Sequence, residues 1–321
     1  MKRIGLLLVV LIALIGGGAF VAASALGEAT IEEDTTFLIP AGSSLTAVAT
    51  NLEGEGLISS ADGFLMRARL FGSSDPIQAG EFRLEPGMDQ AAILRAFQSG
   101  DVIRRFITIP EGMPSVLVHE RLMAIKLLTG DIDVPPEGSI LPDTYAYERG
   151  ATRASVVAQM QAAMDKALAE EWAKRGPNTA VETIRDALTL ASIVEKETGK
   201  PEERRMVAGL YSNRVRAGML LQADPTIIYP ITKGKPLGRR IRQSEIASVN
   251  GYNTYTRVGL PVGPITNPGR ESIAAVLNPA NTSALFMVAD GTGGHKFAET
   301  NAEHNANVEE WYTLRRERGE M

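Results

Sequence analysis

Apolar residues recur along the chain at two spacings, and each change of spacing marks a change of element. Residues 37–39 form a short apolar run that ends in a Pro-Gly turn. From there Leu45, Val48, Ala49 and Leu52 recur at helical spacing behind a cap at Ser43 or Ser44. A second helical stretch covers 61–72, and 78–100 reads as strand, turn and helix. Strand, helix, helix, strand in this order predicts a small α/β module. A strand over 102–112 leads into the second half, where 137–150 is a Pro-punctuated loop and 151–175 a long polar helix. The stretch 176-GPNT-179 breaks that helix and offers Asn178 or Thr179 as cap of the next. Residues 202–221 place Met206, Val207, Leu210, Tyr211 and Val215 on one helix side, and the apolar run 284–290 predicts a core strand.

The helix over 184–199 carries the most informative pattern. At about 100° per residue, Ile184, Ala187, Leu188, Leu190, Ala191 and Val194 share one arc, and Ile193 departs from it. Glu195 falls inside the arc, between Ile184 and Leu188. Glu197 falls outside it beside Asp186, and reads as a structural residue pairing with Lys196 or Arg204. A buried carboxyl group is either paired or neutral, and a neutral one is what acid catalysis near pH 7 requires. Two polar stretches accompany the helix: 222-QADPTIIYP-230, a Pro-stiffened loop, and 250-NGYNTYTRVGLPVGPITNPG-269. Their amide, carboxylate, hydroxyl and aromatic groups suit a sugar ligand, although ordinary turn chemistry uses the same residues. The stretch 290-DGTGGHKF-297 borders the same groove or forms a hairpin turn.

Composition narrows the function classes. The 321 residues are 44% hydrophobic and 22% charged, an ordinary globular balance, and the net charge of −5 argues against nucleic-acid binding. With no cysteine and three scattered histidines (His119, His295, His304), neither a disulfide framework nor a metal site is expected, and no cofactor motif is present. Residues 4–26 lack charge and reach ~35 Å as a helix, enough for a bilayer core of ~30 Å. Lys2 and Arg3 precede them while Glu28, Glu32, Glu33 and Asp34 follow, which predicts a single N-terminal transmembrane helix with the rest extracytoplasmic. The small residues of 22-AASALGEA-29 also fit a cleaved signal peptide, but the apolar run exceeds a typical signal core.

Four strings in order, 191-ASIVEKET-198, 211-YSNRVRAGMLLQADPTIIYP-230, 252-YNTYTRVGLPVGPITNPG-269 and 288-VADGTGGHKFAETNAEHN-305, resemble the motifs of the endolytic murein transglycosylases, the YceG-like or MltG-like proteins. The loop 138-GSILPDTY-145 departs from the family's more aromatic version. The resemblance implies an α+β protein: residues 1–30 as cytoplasmic tip and anchor, 31–105 as a LysM-like module and 106–321 as the catalytic domain. It implies cleavage within nascent peptidoglycan strands at the cell membrane, near the cell-wall synthases, with Glu195 as the catalytic glutamate. Gln222, Asp224, Asn253 and Tyr255 are the candidates for orienting the sugar and acetamido groups. One carboxyl group suffices for lytic chemistry, because the sugar's own 6-hydroxyl closes an anhydro ring and no water is activated. Two alternatives use the same residues. One is a muramidase with Asp224 as second carboxylate; the other is a non-catalytic glycan-binding scaffold.

Overall fold

A computed structural model describes residues 29–320, so the apolar stretch 4–26 lies outside the described residues. No helix among the described residues is long and apolar enough to cross a membrane. The chain divides into two compact units. The first runs up to Arg105 and adds Ala146–Gly150; the second takes Phe106–Tyr145 and Ala151 onward. Helices with three small antiparallel sheets make the whole α+β.

In the first unit β1 (Thr35–Ile39) pairs with β2 (Gly80–Leu84), Phe37 opposite Phe82 and Ile39 opposite Gly80. Helices α1 (Leu45–Gly54), α2 (Ala61–Phe71) and α3 (Gln90–Ser99) complete it. Each helix starts on a side chain that accepts from a first-turn N–H: Ser44 from Ala47, Ser60 from Gly63 and Asp89 from Ala92. Between the two expected caps the structure selects Ser44. Phe97 of α3 lies 5.7 Å from the Phe37 ring and 5.0 Å from the Phe82 ring, so the helix face and the strand face close one core.

Glu81 is the polar exception in this unit, 1% exposed and ion-paired with Arg105 and Arg149. Burial pushes its carboxyl up, but the hydrogen bonds from the two guanidiniums outweigh burial and hold it below the usual carboxylate range. A carboxylate depressed on folding contributes stability above its unfolded pKa and loses it as pH falls through the folded value. Glu81→Ala is therefore expected to destabilise the first unit by about 2 kcal/mol, the worth of hydrogen bonds to a charged group. Denaturant unfolding should show the gap between wild type and variant closing in acid; a constant gap would mean packing, not charge, is lost.

β3 (Arg105–Thr108) pairs with β4 (Thr144–Tyr147), each on a segment where the chain passes from one unit to the other, and in the second unit α4 (Ser115–Met123) lies between them in sequence. Helices α5 (Arg153–Ala173), α6 (Ile184–Glu197), α7 (Arg204–Arg216) and α10 (Arg270–Leu277) pack on one another around a core that includes Leu168, Leu190, Ile193, Val207, Leu210 and Val276. The cap of α6 is Thr183, whose hydroxyl accepts from Asp186, rather than Asn178 or Thr179. The expected loop 222–230 contains a helix, α8 (Pro225–Thr232), because Pro225 occupies a first-turn position whose missing N–H costs nothing. A one-turn helix, α9 (Gln243–Ile246), precedes the long polar loop. The run 284–290 forms β5 (Phe286–Ala289), which pairs with β6 (His295–Ala298) as a hairpin over the turn 290–294. β5 is half-buried rather than a core strand: it packs mainly on β6 and the last helix, α11 (Asn301–Glu317), and touches the core through Met287.

Helix α6 differs from the amphipathic expectation in a way that matters for the site. Ile184 is 40% exposed, whereas Thr189, Ser192 and Ile193 are buried along with Leu190, Ala191 and Val194. From Thr189 to Val194 every residue of the helix is buried, and only Lys196 in the last turn is exposed. Its two polar members are satisfied locally: Thr189 donates to Arg185 O, and the Ser192 hydroxyl donates to Thr189 O and accepts from Ile265 N.

Candidate active site

Three consecutive residues end α6, and each enters different surroundings. Glu197 continues the stripe of Leu190, Ile193 and Val194, seven, four and three residues before it and all wholly buried. Its carboxyl group enters a cleft of ≈ 350 Å³ lined by Leu210, Tyr211 and Arg214 of α7, Gln222, Asp224, Tyr255, residues 287–289 of β5, His295 and His304. Burial, and then the charge of Asp224, push the Glu197 carboxyl up to about 7, against the opposing effects of the Tyr211 hydroxyl and Arg214. Tyr211 hydrogen-bonds this carboxyl, while Glu197 Oε1 is buried with no hydrogen-bond partner among the described residues. That oxygen is closed to solvent, while the Glu197 side chain as a whole borders the polar cleft.

Asp224, Gln222 and Tyr255 reach the cleft through a buried lock. Thr226 and Thr254, both 0% exposed, bond hydroxyl to hydroxyl at 2.8 Å. Thr254 also accepts from Ala223 N, and its own N–H donates to Thr226 Oγ1. The start of α8 is thereby fixed to the loop around 254. Tyr255 donates to Asp224 Oδ1 at 2.5 Å, and burial followed by that carboxylate raises the phenol well above its usual value. Gln222 stands exposed at the rim with φ 52, a left-handed conformation that costs a non-glycine residue about 1 kcal/mol or more. Its N–H donates to Thr254 O, which holds the chain there.

Asn253 is the exception among the expected sugar contacts. It is wholly buried, its amide donates to the carbonyls of Ile246 and Ser248, and its Oδ1 accepts from Tyr255 N. Every hydrogen-bonding group it has is used to tie α9 to the loop, so it shapes the cleft from behind.

Glu195 lies elsewhere. Its side chain is 5% exposed, but the surroundings are polar rather than the apolar arc expected. Oε2 accepts from Gly269 N at 2.9 Å and from the Ser272 hydroxyl at 2.7 Å, so it supplies the cap that Gly269 cannot give to the first turn of α10. Oε1 is 4.0 Å from Arg204 Nη2, which donates to Glu111 Oε2 at 2.5 Å. Gly269 permits this approach: a Cβ there would lie 2.1 Å from Glu111 Oε1.

Of the remaining cleft residues, Arg214 and His304 had no place in the expected site, while His295 belongs to the stretch 290–297, which both forms the hairpin turn and borders the cleft. Arg214 donates to Leu285 O and Leu221 O, fastening β5 and the 221 turn to α7. His295 Nδ1 lies 3.0 Å from Glu203 Oε2, and the same carboxylate group accepts from His295 N, contacts that pull Glu203 below its usual range against the effect of burial. His304 stacks on Phe286 at 5.3 Å; burial and then Arg214 lower its pKa, so the imidazole is neutral near pH 7. The one signal for Glu197 in the sequence is Ile193, the apolar residue outside the arc, which stands one turn before it. His304 is hidden by its distance in sequence from the helix motif, and the fold brings it to the cleft beside His295.

These features can be set beside known proteins. The chain is 29% identical over 340 residues to a Bacillus subtilis (strain 168) protein named endolytic murein transglycosylase, covering 95% of this chain and 93% of that one. It is 28% identical to the endolytic murein transglycosylase of Streptococcus pneumoniae (serotype 2, strain D39), over 88% of this chain and 59% of that protein's length. A solved structure of a YceG-like protein from Listeria monocytogenes is similar at TM-score 0.55 and 28% identity, over 85% of this chain and 98% of that one. The YceG-like family model matches residues 37–310, and the chain belongs to the YceG-like family.

Proposed function

We propose that the chain is an endolytic murein transglycosylase in which Glu197 serves as acid and then as base. The observation that carries the choice is the Glu197 carboxyl, pushed up to about 7 within a cleft that also holds Gln222, Asp224 and Tyr255. In its protonated form Glu197 gives its proton to the oxygen linking N-acetylmuramic acid to N-acetylglucosamine, and the C1–O bond breaks. The carboxylate so formed takes the proton of the muramic 6-hydroxyl as O6 bonds to C1. The acid is restored, no water is consumed, and the product ends in a 1,6-anhydro ring. Asp224 keeps the proton on Glu197 by its charge, and Tyr211 orients the carboxyl. The names of the relatives support transglycosylation over hydrolysis. An anchor at residues 4–26 and a LysM-like role for the first unit fit the same assignment and place the reaction outside the cell membrane.

A second reading has one observation in its favour: Asp224 shares the cleft with Glu197, and two carboxylates are what a hydrolytic muramidase needs. Product analysis decides. Purified peptidoglycan digested by the full-length protein in ¹⁸O-labelled water is expected to yield anhydro ends without label. Labelled reducing ends as the main product would establish hydrolysis instead, and absence of any new end would remove both readings.

A further inference from the structure

Lys196, between the two glutamates, enters neither of their surroundings. It borders a separate groove of ≈ 520 Å³, whose wall is built by Met113, Pro114 and Leu117 with Ile228, Leu237 and Ile265. No aromatic residue lines it, and its other charged groups are engaged: Glu111 with Arg204 and Lys235 with Glu120. Lys196 is exposed and has no acidic partner among the described residues. The groove also adjoins the cleft through neighbours in sequence. Lys196 precedes Glu197, and Asp224 of the cleft precedes Pro225 of the groove, with consecutive Cα atoms about 3.8 Å apart.

The chemistry of the two cavities is unlike. Sugars need hydrogen-bond groups and flat aromatic faces, which the cleft supplies and the groove does not. A shallow apolar wall with one unpaired ammonium suits small aliphatic groups next to a carboxylate. Each muramic acid of an uncleaved strand carries a short peptide of alanines and acidic residues. A strand seated in the cleft brings one such peptide beside the bond to be broken.

We infer that the groove between α4 and α8 binds the peptide stem of the muramic residue at the cleavage site, its alanyl methyls on the apolar wall and a carboxylate on Lys196. The inference rests on the proposed substrate and adds a reason for the enzyme to prefer strands with intact stems.

Binding and cleavage test the two statements separately. Full-length Glu197→Gln protein is titrated with soluble glycan strands bearing stems and with the same strands after an amidase has removed them. Intact strands are expected to bind about tenfold more tightly, and Lys196→Glu in the same background is expected to reduce that preference about tenfold, since reversal loses one exposed ion pair and adds a repulsion. Leu237→Asp should reduce it as well. Equal binding of both strands, or a preference untouched by Lys196→Glu, overturns the inference while anhydro products from the wild type leave the activity standing. Binding of neither strand overturns the inference together with the substrate assignment.

Discussion

Glu197→Gln is expected to lower strand cleavage by about 10³-fold, the usual worth of a positioned general acid and base, with folding and strand binding retained. The amide keeps the shape of the side chain and its contact with Tyr211, but it neither donates the proton to the leaving oxygen nor takes one from the 6-hydroxyl. Glu195→Gln gives the contrast. Its carboxyl caps α10 from 74 residues away in sequence, and the amide preserves only part of that cap. The expected result is activity within about tenfold of wild type, and a stability loss of about 1 kcal/mol, the cost of a weakened helix cap. Initial rates of anhydro-end formation and thermal melts on both variants separate the roles. A dead Glu195→Gln beside an active Glu197→Gln would return the chemistry to Glu195.

Asp224→Asn is expected to move the alkaline limb of the pH–rate profile toward acid. The acid form of Glu197 begins the reaction, so activity falls as pH rises through about 7. The Asp224 charge is, after burial, the next cause of that high value; without it Glu197 gives up its proton at lower pH. The variant also weakens the hold on Tyr255, and misplacement of substrate adds a loss of about 10- to 100-fold at neutral pH. The product should still be the unlabelled anhydro sugar, with activity partly recovered at lower pH. A variant inactive at every pH, together with labelled reducing ends from the wild type, would make Asp224 the base of a hydrolase.

Much of the fold was legible in local patterns. The apolar run of β1 and the helical spacing and serine cap of α1 sit within a few residues of the elements they specify, which is why those elements emerge from the sequence almost where the structure has them. The failures share one cause: a helical wheel records angle and ignores depth. Ile184 and Ile193 both count as apolar, yet the first is 40% exposed at the entry of α6 and the second wholly buried near its end. Near its end the helix is buried on most of its circumference and open only at Lys196, so a carboxylate off the arc at Glu197 is enclosed like the one on it at Glu195. What each then meets depends on residues far along the chain. Glu195 meets Gly269 and Ser272, and Glu197 meets Tyr211, Asp224 and His304. The candidate contacts divided likewise: Gln222, Asp224 and Tyr255 share the cleft, while Asn253 faces the interior because its amide completes a loop.

The end of α6 also sets a rule for length. Glu195, Lys196 and Glu197 project about 100° apart toward the start of α10, the apolar groove and the polar cleft, and Thr183 pins the far end of the helix. One residue inserted between Thr183 and Glu195 would turn all three by about 100° and hand each destination the wrong side chain. The helix therefore works as a ruler whose count of residues is as much a part of the site as their identity.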